Sequence, residues 1–267
     1  MRRALEEDLG RAGDITSDLI VPPEMRIAAR LVSKGSGTVA GLVAAACAFS
    51  LVDHEVVLHA EIPDGRTARA GDVIGTLEGF AHSLLAAERV ALNFLGHLSG
   101  IATATQRLVQ AVAGTRARIV CTRKTTPGLR VLEKYAVRCG SGFNHRFGLD
   151  DAVLIKDNHL AACGGVKPAI QKARESVGHL VKIELEVDNL TQLEEALSLG
   201  VDTILLDNMS LSSLQHAVGL ARGRATLEAS GGVTFANVRS IAETGVDYIS
   251  AGAITHSAPS LDVALDF

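Results

Sequence analysis

The sequence contains few cysteines, and their spacing excludes the usual cysteine-based scaffolds. No CxxC pair and no Cys/His group at zinc-ligand spacing occurs, so we expect neither a disulfide framework nor a structural zinc site. The absence of both favours a reducing, cytoplasmic location. The four cysteines are scattered over the chain at Cys47, Cys121, Cys139 and Cys163.

The sequence also lacks an apolar run long enough to cross a membrane. Its most apolar stretch, residues 38–52, is shorter than the roughly 18–20 residues that a spanning helix needs and is diluted with Ala and Gly. We predict a buried helix there. The first ten residues, MRRALEEDLG, are acidic where a signal peptide has its apolar core, so we expect no export signal and no membrane partner.

An excess of positive charge is missing too. A formal net charge of −4 provides no concentrated basic surface for a phosphate backbone, so we expect no nucleic-acid partner. The composition, with 47% hydrophobic and 21% charged residues, is that of a globular protein. Its 267 residues suffice for one large domain, or for a barrel with a smaller partner domain.

From about residue 117 onward a pattern recurs: a short β-branched or Leu-rich run, a charged or small residue at its end, and then a helical segment. The last such segment, TFANVRSIAETG, is expected to begin at Thr234 as its cap and to end at Gly245. Repeated βα units form a parallel barrel or a doubly wound sheet. The predicted strands are ARIVCT, AVLIKD, VKIELEV, TILLDN, ATLEAS and YISAGA.

The strand VKIELEV favours the barrel. A strand in an open parallel sheet is covered on both faces and reads apolar throughout. This strand instead alternates, with Ile183, Leu185 and Val187 on one face and Lys182, Glu184 and Glu186 on the other. A barrel with a polar mouth accommodates that split, and its chemistry lies at the C-terminal ends of the strands.

The first 100 residues read as a separate, smaller α+β layer. Its predicted strands are RIAARLVS, EVVLHAEI and DVIGTLEG, separated by Gly/Asp turns. A helix from about Ser83 to Leu98 is expected to follow.

Cations cluster at the predicted strand ends of the barrel. If they share one cavity they call for an anion, because buried positive charge without partners is costly. Arginine suits planar carboxylates and phosphates. The residues are Arg123, Lys124, His145, Arg146 and Lys156. By contrast Arg130, Lys134 and Arg138, four apart on one predicted helix, are expected to be solvated or to lie at the rim.

Two acids, Glu186 and Asp207, end successive strands and could hold a divalent cation or accept hydrogen bonds from sugar hydroxyls. Glu184 and Glu228 are weaker candidates that could merely balance Lys182 or other cations. The small-residue loops ASGGVT and SAGAITHS follow the last two strands, and their backbone N–H groups could approach a phosphate closely.

These motifs resemble the quinolinate phosphoribosyltransferase family, the carboxylating nicotinate-nucleotide pyrophosphorylases of NAD biosynthesis. The longest is CTRKTTPGLRVLEKYAVRCGSGFNHRFGLDDAVLIKDNH, in which the order and spacing of TRKT, NHR and KDNH are specific. The resemblance covers essentially the whole chain. Further matching strings are ELEVDN, ILLDN, EASGGV, TGVDYISAGAITHS, AERVALNFLGHLSGIAT and EDLGRAGDITS.

The resemblance implies an N-terminal α/β sandwich followed by an incomplete (β/α) barrel. The expected boundaries are residues 1–102, joined by 258–267, for the sandwich and 103–257 for the barrel. The implied reaction joins quinolinate to phosphoribosyl pyrophosphate and yields nicotinate mononucleotide, pyrophosphate and CO2, with Mg²⁺ on the pyrophosphate. A homodimer or higher homo-oligomer is also implied.

The resemblance further implies roles for individual residues. Arg123, His145, Arg146 and Lys156 would hold quinolinate, together with Arg89 from a neighbouring subunit. Phosphoribosyl pyrophosphate would contact Lys124, Glu186, Asp207, Ser230, Gly231, Gly232, Gly252 and His256, with the metal at Glu186 and Asp207. The catalytic set would be Lys124, Lys156, Glu186 and Asp207. Either Lys156 or Arg123 would fix the carboxylate that leaves.

Other interpretations remain. A homologue associated with molybdenum uptake would share the fold and use another acceptor, and a nicotinate-specific enzyme would need only one carboxylate site. From a different class, DGRTARAGDVIGTLEG resembles the turns of lipoyl or biotinyl carrier domains, with Lys34 as an attachment point. No acidic or Met-flanked lysine hairpin of the usual carrier kind supports that last interpretation.

Overall fold

The computed structural model describes all residues, 1–267, which divide into two compact units. The first comprises residues 1–106, 131–141 and 258–267, and the second comprises 107–130 and 142–257. The sequence prediction assigned residues 131–141 to the barrel, whereas the structure groups them with the first unit.

The chain contains eleven helices and twelve strands. The helices are α1 (Arg2–Leu9), α2 (Ile15–Ile20), α3 (Leu42–Val52), α4 (Ala81–Ala111), α5 (Arg130–Cys139), α6 (Asp157–Cys163), α7 (Val166–Ser176), α8 (Leu190–Ser198), α9 (Leu211–Ala221), α10 (Val238–Glu243) and α11 (Ala253–His256). The strands are β1 (Arg26–Ser33), β2 (Gly37–Thr38), β3 (Val57–Ala60), β4 (Thr67–Ala68), β5 (Val73–Phe80), β6 (Arg118–Val120), β7 (Val153–Ile155), β8 (Ile183–Val187), β9 (Thr203–Asp207), β10 (Thr226–Ser230), β11 (Tyr248–Ser250) and β12 (Val263–Asp266).

The first unit is built on a four-stranded antiparallel sheet in the order β12-β1-β5-β3. In β1, Leu31 pairs with Leu265 on one side and with Gly75 on the other, so the C-terminal strand completes this sheet. Helix α3 is the buried helix predicted from the apolar stretch, and its Phe49 is fully buried in the core. The unit is therefore held by one hydrophobic core under the sheet.

The second unit is a six-stranded parallel sheet in the order β6-β11-β10-β9-β8-β7. All six strands predicted from the sequence are present, and helices connect most of them, as parallel pairing requires. The end strands β6 and β7 are not paired with each other, so the barrel is incomplete. Register places Ser230 beside Asp207 and Glu228 beside Leu205.

Polar groups lie inside this barrel, as the alternation in β8 predicted. Glu184 is 9% exposed and Glu228 is 4% exposed. Leu185 and Val187 on the opposite face of β8 are buried as well. The strand is thus covered on both sides while carrying carboxylates on one of them, which an apolar open sheet would not accommodate.

Three local expectations were wrong. Thr234 does not cap the last βα helix, because α10 begins at Val238 with Asn237 at its N-cap. The helix expected to end at Leu98 continues to Ala111. Lys134 is buried at 3% exposure instead of solvated, because α5 turns this side of the helix inward with Glu133 and Val137.

No helix combines the length and the hydropathy that a membrane crossing requires.

Candidate functional site

A cavity of about 750 Å³ opens at the C-terminal ends of the parallel strands. Twelve of the predicted site residues line it: Arg123, Lys124, His145, Arg146, Lys156, Glu186, Asp207, Ser230, Gly231, Gly232, Gly252 and His256. The other predicted residue, Arg89, lies on α4 in the first unit with a 63% exposed side chain 3.7 Å from Glu88. The parallel topology explains the convergence, because it brings every strand's carboxyl end to one edge.

Hydrogen bonds from residues both near and far in the sequence hold the loop after β6. The backbone N–H of Lys124 donates to Thr122 Oγ1 at 3.0 Å, and its carbonyl accepts from Thr255 Oγ1 at 2.7 Å. Arg130 donates to Thr125 Oγ1 and to the carbonyl of Phe147, which ties this loop to the segment that carries the NHR motif. Arg130, half-exposed as a rim residue would be, thus also links two segments of the protein.

Two guanidinium groups line the cavity, and each has a hydrogen-bond donor without a partner in the protein. Arg146 Nη1 donates to the carbonyl of Ala152 at 3.0 Å, but the Nε atoms of Arg146 and Arg123 are buried without a hydrogen-bond partner. Burial lowers the pKa of Arg146, and the nearby positive charge of Arg123 lowers it further. Buried donors without a partner indicate that an anionic ligand completes this part of the cavity.

The carboxylates of β8 and β9 are each partly engaged. Lys156 Nζ contacts Glu186 Oε2, and Asn208 Nδ2 donates to Asp207 Oδ2 at 2.8 Å. One oxygen of each carboxylate is left over. Oxygen pairs of this kind suit a hard divalent cation such as Mg²⁺, so the residues present fit the metal that the sequence resemblance implied.

A histidine and two glutamates form the interior floor of the cavity. The backbone N–H of Arg146 donates to His145 Nδ1 at 2.8 Å, which leaves Nε2 to face the two glutamates. That nitrogen lies 3.0 Å from Glu184 Oε2 and 3.7 Å from Glu228 Oε1. Burial raises the pKa of Glu228 to about 7, the charge of Glu184 raises it too, and His145 opposes both.

The glycine loop after β10 is tightly packed against the end of β9. Gly231 has φ +93°, and a Cβ on it would lie 2.0 Å from Asn208 Oδ1. The backbone of Asn208 itself adopts the left-handed conformation, with φ 53°, and its N–H donates to the carbonyl of Ser230. Only glycine fits this position, and the loop leaves Ser230, Gly231 and Gly232 open to the cavity.

Known proteins match this chain along its length. The model of the quinolinate phosphoribosyl transferase C-terminal domain matches residues 101–266, and that of the N-terminal domain matches residues 14–99. The chain belongs to the quinolinate phosphoribosyltransferase family.

Members of this family are similar in sequence and structure. A probable nicotinate-nucleotide pyrophosphorylase [carboxylating] of Bacillus subtilis is 46% identical over 97% of this chain and 89% of that protein. A nicotinate-nucleotide pyrophosphorylase [carboxylating] of Mycobacterium leprae is 44% identical over 100% of this chain and 95% of that protein. The crystal structure of NadC from Streptococcus pyogenes has a TM-score of 0.95 at 42% identity and covers 100% of this chain and 94% of that one.

Sequence reasoning underrated some of the residues that this phosphoribosyltransferase-family cavity contains. Glu228 was taken as a minor charge-balancing residue, yet it lines the cavity. Glu184, expected to balance Lys182 or other cations, contacts His145, whereas Lys182 is exposed. Asn208 also lines the cavity and was not predicted, although its position directly after Asp207 is a usable signal.

Proposed function

We propose that this protein transfers the ribose 5-phosphate group of phosphoribosyl pyrophosphate to the nitrogen of quinolinate, with loss of CO2, to form nicotinate mononucleotide and pyrophosphate. The observation that carries the proposal is the pair of guanidinium groups of Arg123 and Arg146, whose buried Nε atoms lack hydrogen-bond partners, in a cavity that also contains a glycine loop and two strand-end carboxylates. The names of the relatives, carboxylating nicotinate-nucleotide pyrophosphorylase and decarboxylating quinolinate phosphoribosyltransferase, support the same reaction. No separate observation favours the molybdenum-associated or carrier interpretations.

The cationic side of the cavity would bind quinolinate. Its two adjacent carboxylates match the two guanidinium forks of Arg123 and Arg146, and Lys156 adds a third positive charge. Nicotinate, with one carboxylate, would leave part of this charge unpaired. His145 would pack beside the ring with its Nε2–H directed at Glu184. These groups would hold the pyridine nitrogen toward the sugar.

The opposite side would bind phosphoribosyl pyrophosphate. Small residues allow backbone N–H groups to approach phosphate oxygens, and Gly252 sits against Lys124 so closely that a Cβ there would lie 3.1 Å from Lys124 Cδ. The residues proposed for this ligand are Lys124, Glu186, Asp207, Ser230, Gly231, Gly232, Gly252 and His256.

Glu186 and Asp207 would hold Mg²⁺ through the carboxylate oxygens that their hydrogen bonds leave over, directly or through water. When bound, Mg²⁺ supplies positive charge that neutralises the departing pyrophosphate. The remaining roles belong to side chains of the protein. The two carboxylates stabilise the cationic, oxocarbenium-like C1 of the ribose, and Lys124 and Lys156 orient the reactants.

Arg89 would complete the quinolinate site of a neighbouring subunit in a homodimer or larger homo-oligomer. Its high exposure is compatible with such a contact. The test mixes two inactive variants, Arg89→Ala and Arg123→Ala, under conditions of subunit exchange. A mixed dimer would contain one intact site and regain activity, whereas no recovery despite demonstrated exchange would contradict the shared site.

The proposed activity is tested directly by incubating the protein with quinolinate, phosphoribosyl pyrophosphate and Mg²⁺. Pyrophosphate, CO2 and nicotinate mononucleotide are expected in equal amounts, and nicotinate in place of quinolinate is the control acceptor. Binding of phosphoribosyl pyrophosphate without turnover of quinolinate would contradict the proposal and favour another acceptor.

Single-turnover assays of Lys156→Ala and Arg123→Ala separate sugar transfer from decarboxylation. If one of these residues fixes the departing carboxylate, its loss slows CO2 release more than pyrophosphate release. An equal slowing of both steps would assign that residue to quinolinate binding only.

A further inference from the structure

Decarboxylation requires a proton donor, and the quinolinate-binding residues do not supply one. When the carboxylate at C2 leaves as CO2, the electron pair of the broken C–C bond stays on C2 and must take up a proton. Arginine does not release a proton, and the lysine ammonium is a weak acid at neutral pH. A suitable donor is a group in the cavity that carries an acidic proton near neutral pH.

Glu228 has the position of such a group. It lies near the end of β10, the strand between β9 and β11, and lines the cavity with a side chain only 6% exposed. Its Oε1 is buried with no hydrogen-bond partner and lies 3.7 Å from His145 Nε2. Glu228 thus lines the cavity while its Oε1 is shielded from bulk water.

The charges around Glu228 keep its proton in place. Its pKa is raised to about 7, first by burial and then by Glu184, while His145 and the hydroxyl of Ser250 oppose the rise. Asp207 of the neighbouring strand β9, Glu186 of the next strand β8 and Arg146 line the same cavity. The Nε2 of His145 lies 3.0 Å from Glu184 Oε2, so a proton on that nitrogen is directed at Glu184 and is not available to C2.

We infer that Glu228 is the acid that protonates C2 of the pyridine ring as CO2 departs. This inference rests on the proposed function. The bond between C2 and its carboxylate breaks, the electron pair remains on C2 beside the positively charged ring nitrogen, and the proton of Glu228 forms the new C2–H bond. Glu228 becomes a carboxylate, and a proton from solvent restores it before the next turnover.

The step conserves the charge of the cavity. The ligand loses the negative charge of its carboxylate as neutral CO2 leaves, and Glu228 gains one when it releases its proton. The cavity that contains Arg123, Arg146 and Lys156 therefore keeps the same net charge after CO2 leaves. No positive charge is left buried without a counter-charge, which is the costly alternative.

The same cluster has the spacing of a metal site, since ligand atoms of His145, Glu184 and Glu228 lie within 4.8 Å of one another. The guanidinium groups of Arg123 and Arg146 line the same cavity and would repel a divalent ion bound there. A proton neutralises one of the carboxylates and adds only a single positive charge, so it fits this environment better.

The test compares the two chemical steps in Glu228→Gln, with Glu228→Asp as the variant that keeps an acid. In a single turnover of quinolinate and phosphoribosyl pyrophosphate, Glu228→Gln should release pyrophosphate at close to the normal rate and slow CO2 release by about 100-fold or more. The dicarboxylated mononucleotide should accumulate, and Glu228→Asp should recover part of the loss. The normal protein's CO2 release should also slow above about pH 7, whereas that of Glu228→Gln should not respond to pH in this range.

Glu133→Gln is the matched control, because Glu133 is also a buried carboxylate that accepts from a histidine Nε2, at 2.9 Å from His97. Its ratio of CO2 release to pyrophosphate release should stay normal. Equal slowing of both steps in Glu228→Gln, or no slowing of CO2 release, would overturn the inference. So would a stoichiometric transition metal that the purified normal protein contains and Glu228→Gln lacks. Failure of the normal protein to form either product would instead refute the proposed function.

Discussion

Replacing Glu228 by glutamine should stabilise the protein in a pH-dependent way. Burial raises the pKa of Glu228 from 4.5 to about 7. Between these values the folded chain keeps a proton that the unfolded chain releases, so the free energy of unfolding falls as the pH rises through this window. Above about pH 7 both states are ionised, and the folded state carries the full cost of a buried carboxylate.

The interval from 4.5 to about 7, at about 1.4 kcal/mol per pH unit, corresponds to a cost of about 3 kcal/mol. Glutamine has nearly the same shape and never ionises. Glu228→Gln should therefore unfold with nearly the normal free energy at pH 4.5 and be more stable than the normal protein by about 1–3 kcal/mol at pH 8. A gain in the free energy of unfolding is unusual for the replacement of a buried polar residue.

Urea unfolding followed by circular dichroism at the two pH values measures this difference, since the chain contains no tryptophan for a fluorescence assay. Glu243→Gln is the control, because Glu243 is exposed and pairs with Arg239 one helical turn away. Its effect should stay within about 0.5 kcal/mol at both pH values. An effect of Glu228→Gln that is equal at both pH values, or a loss of stability at pH 8, would refute the assignment of a neutral buried acid.

Further predictions concern local geometry. Gly231→Ala should weaken phosphoribosyl pyrophosphate binding about tenfold or more, since its Cβ would lie 2.0 Å from Asn208 Oδ1. Gly223→Ala has a similar φ of +78° with open space around it, so it should cost only about 1 kcal/mol of stability and leave binding unchanged; equal binding by both variants would contradict this steric argument. Asp64→Ala should cost about 2–4 kcal/mol of unfolding free energy, because Asp64 accepts from two backbone N–H groups at the start of α3 and from the hydroxyl of Tyr135 at 2.7 Å. Tyr135→Phe removes one of these bonds and should cost about 1–2 kcal/mol, and a larger loss than in Asp64→Ala would contradict the assignment.

Much of the fold and most of the cavity were predictable because they depend on local patterns. The period of two in VKIELEV, the short apolar runs and the charge at each strand end are all visible in the sequence. Parallel topology then requires those ends to meet at one edge, which is why Arg123, Lys156 and Asp207 line one cavity. The prediction needed no knowledge of individual contacts.

The outcome was different where a residue's environment depends on distant neighbours. The pattern four apart in α5 marked Lys134 as solvated or at the rim, yet the helix buries it, and α10 begins only at Val238, after the expected cap Thr234. Helical periodicity identifies a face, but it does not tell which face meets another element.

The sequence by itself determined the strands, their order along the chain and the positive charge at their ends, because these follow from residue type and spacing. Only the tertiary structure decided that Glu184, Glu228 and His145 meet inside the barrel, because their contact depends on register between strands and on the inward face of the sheet. Burial there, and not the residue type, gives Glu228 a proton near neutral pH.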